Sequence, residues 1–423
     1  MGMTIAEKAF SRAAGLTSVS PGQYVDAKID RIIMDEEFYR VHAAVVSGGM
    51  KNGLPNIWDP NKLHIFIEHH QPPLNDVQAV RAQLIREQVE IYKLPNFQDI
   101  VCGVVHQLAV ENCAMPGELC LGCDSHSCAW GALNSVSTGM GEHELAYAIT
   151  FGELWFKVPH SIKINLIGKF SKWTDAKDVI FYLSKEFGAG FGLYKSLEFA
   201  GPGAEDMNMS SRLTISVHAV ELGAKFGIFK YDKKTEEFLS QRETFNQNII
   251  HPIVADDDAV YEKEVTIDLD TLQPFVVKPH TFENVTTLDE VAGTVIHQAQ
   301  VGSCANGRVE DIKSVAEILN GKKINKRVRF FIQPGSWTVY RKCMREGYFE
   351  TILDSGAQIL SPGCHLCLGM QARLGNNENC ISSTTRNHKG RMGGQNSNIF
   401  LANPKVVAAA ALAGEIVDVR EVK

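Results

Sequence analysis

The last third of the chain alternates apolar, strand-like runs with helical segments, and this rhythm restricts the fold more than any other feature of the sequence. Strand-like runs cover Val295 to Val301, Val328 to Ile332 and Ala357 to Leu360, and helical patterns cover Val309 to Leu319 and Thr338 to Glu346 between them. Strands separated by helices of this length are typical of a parallel sheet with helical crossovers. The sequence therefore predicts an α/β fold.

Cysteines follow two of these strand-like runs. Cys364 and Cys367 form a Cys-x-x-Cys turn after Ala357 to Leu360, and Cys304 follows the run that ends at Val301. Because functional groups in such proteins collect at the carboxyl ends of parallel strands, the three cysteines predict one shared metal site. The Cys-x-x-Cys spacing alone leaves three kinds of site open, since zinc, a redox-active dithiol and an iron–sulfur cluster all use it.

The first 130 residues repeat this pattern with titratable side chains in place of cysteines. Three strand-like runs, Leu63 to Ile67, Ile100 to Val105 and Leu119 to Gly122, are each followed closely by a histidine or a carboxylate. In chain order these side chains are Glu68, His69, His70, His106, Asp124 and His126. Three strand ends of the same kind favour a functional site over isolated structural histidines.

Several other elements can be placed from their patterns. Thr4 and Glu7 fit a capping box for a helix that should end at Gly15. The remaining predictions are one strand over Tyr24 to Ile33 and helices over Asp76 to Tyr92, Ala132 to Phe156, Asp175 to Phe187 and Arg212 to Gly223. The last of these helices carries the carboxylate of Glu221.

Composition excludes several classes of function. The 423 residues carry a formal net charge of −7, which argues against bulk binding of nucleic acid or anionic membranes. No apolar run approaches the ~20 residues of a membrane helix, and the N-terminus lacks the hydrophobic core of a signal peptide, so we expect a cytoplasmic protein with reduced thiols. Seven further cysteines are expected only to pack: Cys102, Cys113, Cys120, Cys123, Cys128, Cys343 and Cys380.

Segments spread over most of the chain resemble the aconitase and isopropylmalate dehydratase family. They are Met3 to Lys8, Asp124-Ser125-His126, Glu221 to Ala224, Gly302 to Arg308, Ser361 to Met370 and Thr384 to Arg391. The resemblance implies an aconitase-like fold of three α/β domains around a central iron–sulfur cluster, here placed at 1–159, 160–280 and 281–423. The chain stops at Lys423, where single-chain aconitases continue into a mobile fourth domain. It is therefore expected to be a large subunit whose swivel domain is on a separate small subunit.

The resemblance also implies a reaction and a set of site residues. In the family, three thiolates hold a [4Fe–4S] cluster whose fourth iron lacks a protein ligand, and the corresponding residues are Cys304, Cys364 and Cys367. The reaction is the reversible dehydration and rehydration of a 2-hydroxy di- or tricarboxylate such as 3-isopropylmalate. The other residues assigned by resemblance are His69, His106, Asp124 and His126 for protonating the leaving hydroxyl, Glu221 near the iron-bound water, and Arg386, Arg391 and Ser125 for binding substrate. The family's general base, a serine on the swivel domain, has no counterpart here and is expected on the small subunit.

The sequence departs from the family pattern around this site. Glu68 stands where the family has aspartate, Val217 and Thr385 replace asparagines, and His388 replaces phenylalanine. The segment from Met34 to Phe38 does not match the family's Thr/Gln-containing motif. We interpret the chain as a divergent member that acts on 3-isopropylmalate or a related substrate, including an alkylated malate or a homoaconitate-type tricarboxylate.

Two other functions stay open at this stage. The divergent residues are also compatible with a protein that has lost catalysis and acts as a cluster-dependent binding or regulatory protein, although the acidic balance disfavours RNA as its ligand. The cysteines could alternatively hold zinc or act as a dithiol, and a colourless, zinc-containing active protein would support that alternative.

Overall fold

The computed structural model describes residues 2–99, 103–242, 246 and 250–422. Within these ranges the helices are α1 (Ile5–Ala14), α2 (Phe38–Ser47), α3 (Asp76–Tyr92), α4 (Val105–Asn112), α5 (Glu142–Phe151), α6 (Ala176–Phe187), α7 (Pro202–Asp206), α8 (Met209–His218), α9 (Lys233–Leu239), α10 (Ser303–Asn306), α11 (Val309–Leu319), α12 (Trp337–Arg345), α13 (Tyr348–Ser355) and α14 (Pro404–Ala413). The strands are β1 (Tyr24–Lys28), β2 (Arg31–Met34), β3 (Leu63–Phe66), β4 (Asn96–Gln98), β5 (Leu119–Gly122), β6 (Val136–Gly139), β7 (Glu153–Lys157), β8 (Ser161–Ile167), β9 (Ser196–Ala200), β10 (Phe226–Phe229), β11 (Lys263–Asp268), β12 (Phe275–Val277), β13 (Val285–Thr287), β14 (Gln298–Gly302), β15 (Arg329–Gln333), β16 (Gln358–Ile359), β17 (Asn379–Ser382) and β18 (Asn398–Ala402).

Three sheets with mainly parallel strands form the framework. The strand orders are β4-β3-β2-β5-β6 in the first, β10-β9-β8-β11 in the second and β13-β12-β18-β17-β14-β15-β16 in the third. All pairs in the first two sheets are parallel, and in the third only the two pairs that involve β12 are antiparallel. Strands that alternate with helices and pair in parallel confirm the predicted α/β class. The domain boundaries at 159/160 and 280/281 stay a prediction.

Each sheet buries the apolar runs that marked its strands in the sequence. Ile32, Leu63 and Leu121 of the first sheet lie in one hydrophobic cluster, and Val301 and Ile332 of the third sheet lie in another with the apolar faces of α11 and α14. Strands buried on both faces have near-continuous apolar sequences, which is why these segments could be recognised without clear alternation.

Helix termini follow the sequence signals closely. The Thr4 and Glu7 side chains form the predicted capping box, and Gly15 ends α1 in a left-handed conformation with φ of 67°. Asn75 caps α3 through a bond from the amide of Gln78, and α3 ends at Tyr92 as predicted. Caps are local interactions of side chain and backbone, so they can be predicted from a few residues.

Two element predictions are wrong for a common reason. Tyr24 to Ile33 is not one strand, because β1 pairs with β7 in a small antiparallel sheet while β2 enters the five-stranded sheet. Ala132 to Phe156 is not one helix, since it holds the end of a 3₁₀ segment, then β6, α5 and β7. In both segments the local pattern is insufficient: the alternation of Tyr24 to Ile33 gives no signal for a change of sheet, and Ala132 to Phe156 has too weak a period to separate strand from helix.

The prediction of a strand over Ile100 to Val105 is wrong in its described part. Residues 100–102 lie outside the described residues, but Val105 starts α4, so His106 lies in the first turn of a helix. The strand that pairs with β3 in this region is β4, at Asn96–Gln98. A β-branched apolar run led to a strand assignment that tertiary packing overrides.

The described helices include none that is both long and apolar enough to cross a membrane.

The described cysteines outside the predicted metal site are all unpaired. Cys113, Cys120, Cys128, Cys343 and Cys380 are buried, Cys123 is half-buried, and Cys102 lies outside the described residues.

A buried ion pair anchors α8, the helix that leads to Glu221. Arg212 is only 1% exposed, and its two terminal nitrogens lie 2.9 and 2.5 Å from the carboxylate oxygens of Asp232. Burial disfavours the Asp232 carboxylate, but the hydrogen bonds and charge of Arg212 outweigh it and lower the pKa of Asp232 below its ordinary value. The pair therefore stabilises the fold only while Asp232 is ionised.

Replacement of Asp232 by asparagine should lower the free energy of unfolding by about 3 kcal/mol at pH 7, because it leaves the Arg212 charge buried without its partner. Asp232 in the folded protein has a lowered pKa, so its contribution is present above its unfolded pKa of ~4 and is lost as pH falls through the folded value. Denaturant unfolding of wild type and variant should therefore differ at pH 7 and converge in acid. Asp206→Asn, which changes an exposed pair, is the matched control and should alter stability by less than ~0.5 kcal/mol.

Candidate active site

A small cavity brings most of the predicted site residues together. Its volume is about 80 Å³, several times the ~10–15 Å³ that one water needs by the same kind of measure. It is lined by His69, His106, Asp124, His126, Cys304, Cys364, Cys367, Leu368, Arg386 and Arg391. Nine of these ten residues were predicted from the sequence, and the other two predicted residues, Ser125 and Glu221, contact the lining from behind through hydrogen bonds.

The parallel sheets explain why residues so distant in sequence meet. His69 follows β3 and Asp124 follows β5 in the first sheet, while Cys304, Cys364 and Arg386 follow β14, β16 and β17 in the third. The carboxyl ends of the two sheets thus face the same cavity, where open α/β sheets place their ligand sites. The position of His106 was also predicted to be near this edge, although a helix rather than a strand places it there.

The turn that carries Cys304 is held in an uncommon backbone conformation. Gly302 has φ of 153°, and a Cβ atom there would lie 2.3 Å from the carbonyl oxygen of Gln333. Ser303, directly before Cys304, has φ of 66°, in the left-handed region that non-glycine residues rarely adopt. Buried Arg308 supports the turn, because its guanidinium donates to the carbonyls of Cys304 at 2.6 Å and Ala305 at 2.9 Å. Strained backbone of this kind is concentrated at functional sites.

A glutamine connects the Cys-x-x-Cys turn to the neighbouring strand. Gln333, the last residue of β15, donates to the carbonyl of Ser361 at 3.0 Å and accepts from the amide of Leu366 at 3.0 Å. These bonds span the residues on both sides of Cys364, so the turn is fixed before any metal binds. Pre-organisation of this kind lowers the entropic cost of assembling a metal site.

The three thiols differ in their electrostatic surroundings. Burial raises the pKa of the Cys304 thiol above its ordinary value. The hydrogen bond between Cys364 and Cys367 raises the pKa of Cys364 and holds that of Cys367 well below the ordinary range, where the nearby Arg391 guanidinium adds to the effect. An Arg391 terminal nitrogen lies 3.3 Å from the Cys367 sulfur, and the Thr385 hydroxyl lies 3.4 Å from it.

A chain of charged hydrogen bonds runs along one wall of the cavity. His106 Nε2 and His126 Nδ1 lie 2.9 and 3.2 Å from the same oxygen of Asp124, and His126 Nε2 lies 3.1 Å from Glu221. The chain ends at Arg386, whose Nε donates to Glu221 at 2.7 Å. The arrangement can hold a proton on an imidazole and relay it between neighbouring groups.

The two histidines of this chain are tuned in opposite directions. Burial lowers the pKa of His106, and its contact with Asp124 does not fully offset that effect. Burial acts on His126 too, but hydrogen bonds to Asp124 and Glu221 raise its pKa overall. The carboxylates stay ionised in spite of burial, since the imidazoles hold the pKa of Asp124 well below its usual range, and His126 with Arg386 lowers that of Glu221.

His69 belongs to a different set of contacts from the one the sequence predicted. Its Nδ1 faces three buried carboxylates, at 3.0 Å from Glu68, 3.4 Å from Asp35 and 3.8 Å from Glu36. Burial opposes a charge on His69, but these carboxylates outweigh it and raise the pKa of His69 well above its ordinary value. His69 is thus adapted to carry a proton at the cavity, in a group separate from the His106–Asp124–His126 chain.

Asp35 and Glu36 were missed by sequence analysis. They follow β2, a central strand of the first sheet, so the rule that polar residues after buried strands form sites would have selected them. They lie in the segment that does not match the family motif, so the resemblance assigned them no role. The predicted strand over Tyr24 to Ile33 also gave no reason to expect them beside His69. The Glu68 departure has a visible consequence as well, because its longer side chain still reaches His69 Nδ1.

The donor set could serve either a cluster or a single metal ion. Among the described residues, the sets of three donors within 4.8 Å of one another do not include the three cysteines together. A single zinc ion with Zn–S bonds of ~2.3 Å would hold its sulfurs only ~3.8 Å apart. Three thiols around one cavity are compatible with a polynuclear group. The ligand atoms of His106, His126 and Cys304 lie within 4.8 Å of one another, so this set could hold one ion.

Comparison with known proteins gives full-length matches. A model of the aconitase family (aconitate hydratase) matches residues 63–295 and 289–414. The 3-isopropylmalate dehydratase large subunit 2 of Archaeoglobus fulgidus is 39% identical over 427 residues, which cover 100% of both chains. The 3-isopropylmalate dehydratase large subunit of Acetivibrio thermocellus is 38% identical over 419 residues, covering 98% of this chain and 99% of that one. Among solved structures, the holo-form of Thermococcus kodakaraensis aconitase X covers 90% of this chain and 89% of its own, with 12% identity and a TM-score of 0.48.

Proposed function

This chain belongs to the aconitase family, and we propose that it is the large subunit of an iron–sulfur hydro-lyase that dehydrates and rehydrates 3-isopropylmalate or a closely related 2-hydroxy di- or tricarboxylate. One observation carries the proposal. Three cysteine thiols, a histidine–carboxylate chain and two guanidinium groups line a single cavity. The names of the two relatives support the same class of reaction.

Cys304, Cys364 and Cys367 would hold the [4Fe–4S] cluster. When bound, an iron without a protein ligand supplies a Lewis acid for the substrate hydroxyl. The residues fit such a group because the three thiols line one cavity and their turns are fixed by Arg308 and Gln333. A buried Cys367 thiolate with a hydrogen bond from Arg391 is also a suitable metal ligand.

His126 and His69 would manage the proton of the leaving hydroxyl. Both imidazoles line the cavity, and the carboxylates around them raise the pKa of both, which favours their protonated forms. The Asp124 carboxylate fixes the orientation of His126 in two ways. It accepts a hydrogen bond from the backbone amide of His126 at 2.7 Å, and it contacts the ring nitrogen Nδ1. Loss of hydroxide with a proton from one of these imidazoles gives water, and the reverse transfer allows rehydration.

Arg386 and Arg391 would bind the substrate carboxylates. Their guanidinium groups line the same cavity as the thiols, and a planar guanidinium can bind a carboxylate through two parallel bonds. Glu221 and Ser125 hold Arg386 in place at 2.7 and 2.9 Å. A fixed guanidinium places the reacting carbon at a defined position, which accounts for much of the rate enhancement in such sites.

A small subunit would complete the site. Among the described residues that line the cavity, none is a serine, so the base that removes the substrate's carbon-bound proton is proposed to come from the swivel domain of that partner. The relatives are named large subunits, which supports this division. A cytoplasmic location, which keeps buried thiols reduced, is part of the proposal.

An anaerobic reconstitution tests the cluster and the reaction separately. The protein, loaded with iron and sulfide, should give a three-iron electron paramagnetic resonance signal after mild oxidation, and ferrous iron should remove it. With a matched small subunit, it should then dehydrate at least one acid of a panel containing 3-isopropylmalate, alkylated malates and homocitrate. An intact cluster with no turnover of any acid would contradict the enzymatic proposal and favour a cluster-dependent binding or regulatory protein.

The alternative of zinc rests on the proximity of His106, His126 and Cys304. Metal analysis of protein isolated without oxygen distinguishes the zinc alternative from the iron–sulfur proposal. About four irons per chain support the cluster, whereas one zinc per chain in a colourless, active protein supports the alternative. Replacing His106 should abolish zinc retention in the second case and leave iron content unchanged in the first.

A further inference from the structure

Lys177 lies fully buried behind the cysteine cavity. It is the second residue of α6, and its side chain has no exposed surface. Its ammonium nitrogen donates to the carbonyls of Ser383 at 2.5 Å and Thr384 at 2.8 Å, and it lies 3.4 Å from His218 Nε2 and 3.5 Å from Asn306 Oδ1. A fully buried lysine is rare and requires a compensating interaction.

Every group around this nitrogen is an acceptor. The Asn306 amide is oriented by its own nitrogen, which donates to Asp311 at 3.0 Å, so its oxygen faces Lys177. His218 carries its proton on Nδ1, which donates to the Thr214 carbonyl at 2.7 Å, so Nε2 presents a lone pair. A neutral amine would direct its own lone pair at these acceptors, and the surroundings therefore stabilise the ammonium form.

The ammonium charge has only neutral hydrogen-bond partners in the described part of the chain. No carboxylate there lies within 4.0 Å of the Lys177 nitrogen. Burial lowers the pKa of Lys177 to about 8, while the charges of Asp175, Cys367 and Cys304 act in the opposite direction. Buried charges that persist in proteins have an opposite charge nearby, so the position calls for an anion.

The thiolates of Cys304 and Cys367 can supply such an anion in addition to Asp175. Asn306 lies two residues after Cys304 on the same turn, and Thr384 directly precedes Thr385, whose hydroxyl lies 3.4 Å from the Cys367 sulfur. Lys177 thus contacts the Cys304 turn directly, and it contacts the segment whose Thr385 hydroxyl touches the Cys367 sulfur. Ser383 and Thr384 also lead directly to Arg386, so the same nitrogen connects the Cys304 turn to the segment that carries a substrate-binding guanidinium.

We infer that Lys177 is a positioning residue for the metal centre, whose buried positive charge balances the thiolates of Cys304 and Cys367 and fixes the Cys304 turn relative to the segment from Ser383 to Arg386. The inference rests on the proposed function, because it relates the charge of Lys177 to a cluster held by these cysteines. A nearby positive charge stabilises the more negative, reduced state of a cluster and so raises its reduction potential.

Two neutral variants and one control test this role. Lys177→Gln keeps hydrogen-bond donors but removes the charge, and Lys177→Met removes both. Lys185→Met changes an exposed lysine on the same helix and is the matched control. The midpoint potential of the reconstituted cluster, measured by reductive titration with visible and electron paramagnetic resonance detection, should become more negative in both Lys177 variants and stay unchanged in Lys185→Met. Iron should also be lost faster from both Lys177 variants on mild oxidation.

The possible outcomes separate this inference from the function proposed above. An unchanged potential in both Lys177 variants, with the cluster retained, would overturn the charge role. A shift in Lys177→Met alone would also overturn it, since hydrogen bonding and not charge would then be responsible. Apo-forms of both variants that fail to fold would make Lys177 a structural residue. If wild type itself binds no cluster, the proposed function fails first, and the inference fails with it.

Discussion

Replacing Cys304 with alanine is expected to lower turnover by ~10³-fold or more and to remove most of the bound iron. The physical reason is that the thiol is one of the three proposed cluster ligands that line the cavity, and loss of metal-based Lewis acid catalysis would remove several kcal/mol of transition-state stabilisation. The turn is held by Arg308 through carbonyl bonds that the substitution leaves intact, so the apo-protein should fold. Iron and sulfide content, the visible spectrum and activity with the small subunit measure the effect.

Cys343→Ala is the control for this prediction. Cys343 is also fully buried, but it lies on α12 in the core of the third sheet, away from the cavity. Its replacement should cost ~1 kcal/mol of stability through a small packing defect and leave the iron content unchanged. Equal iron loss in the two variants would show that any buried cysteine affects the cluster only through stability, and would contradict the assignment of Cys304 as a ligand.

Replacing Arg386 with lysine is expected to reduce kcat/KM by ~10²–10³-fold while the cluster is retained. The wild-type guanidinium donates to Glu221 and Ser125 at the same time, and a lysine ammonium cannot reproduce this planar geometry. Hydrogen bonds to charged groups contribute ~1.5–3 kcal/mol each, which sets the size of the loss. Steady-state kinetics with separate kcat and KM values, together with iron analysis, tests the prediction.

Arg373→Lys is the matched control for this substitution. Arg373 is exposed and lies between the cysteine turn and β17, so its replacement should leave kcat/KM unchanged. A loss of iron in Arg386→Lys equal to the loss of activity would argue that Arg386 supports the metal centre and does not bind substrate. Retained iron with a raised KM would support the carboxylate-binding role.

The family resemblance read from short segments is confirmed by full-length relatives and by the family model. The resemblance depended on glycines, cysteines and the Asp-Ser-His segment at the ends of apolar runs. These segments are informative because each has a strict local requirement: Gly302 must accommodate a close approach by Gln333, and the Cys-x-x-Cys turn must bring two thiols together. The roles of the site residues stay predictions until the substitutions above are measured.

The elements that sequence analysis assigned wrongly show where local pattern is insufficient. Tyr24 to Ile33 alternates as one strand, yet β1 and β2 enter different sheets, because the alternation of buried and exposed residues is the same in either sheet. His106 follows an apolar run as predicted, but α4 places it in the cavity. In both cases the pattern indicated where the side chains lie, while long-range packing decides which sheet or helix carries them.

The sequence by itself determined the α/β class, the helix caps, the family and nearly all side chains that line the cavity, because strand ends, caps and cysteine turns depend on neighbouring residues. Only the tertiary structure decided the electrostatics of the site. It placed Asp35 and Glu36 around His69 and separated His69 from the Asp124 chain. It also buried Lys177 against the Cys304 turn and the Ser383–Thr384 segment, both more than 120 residues away along the chain. Charge interactions depend on distance through space and on exclusion of water, and neither quantity is encoded in a local pattern.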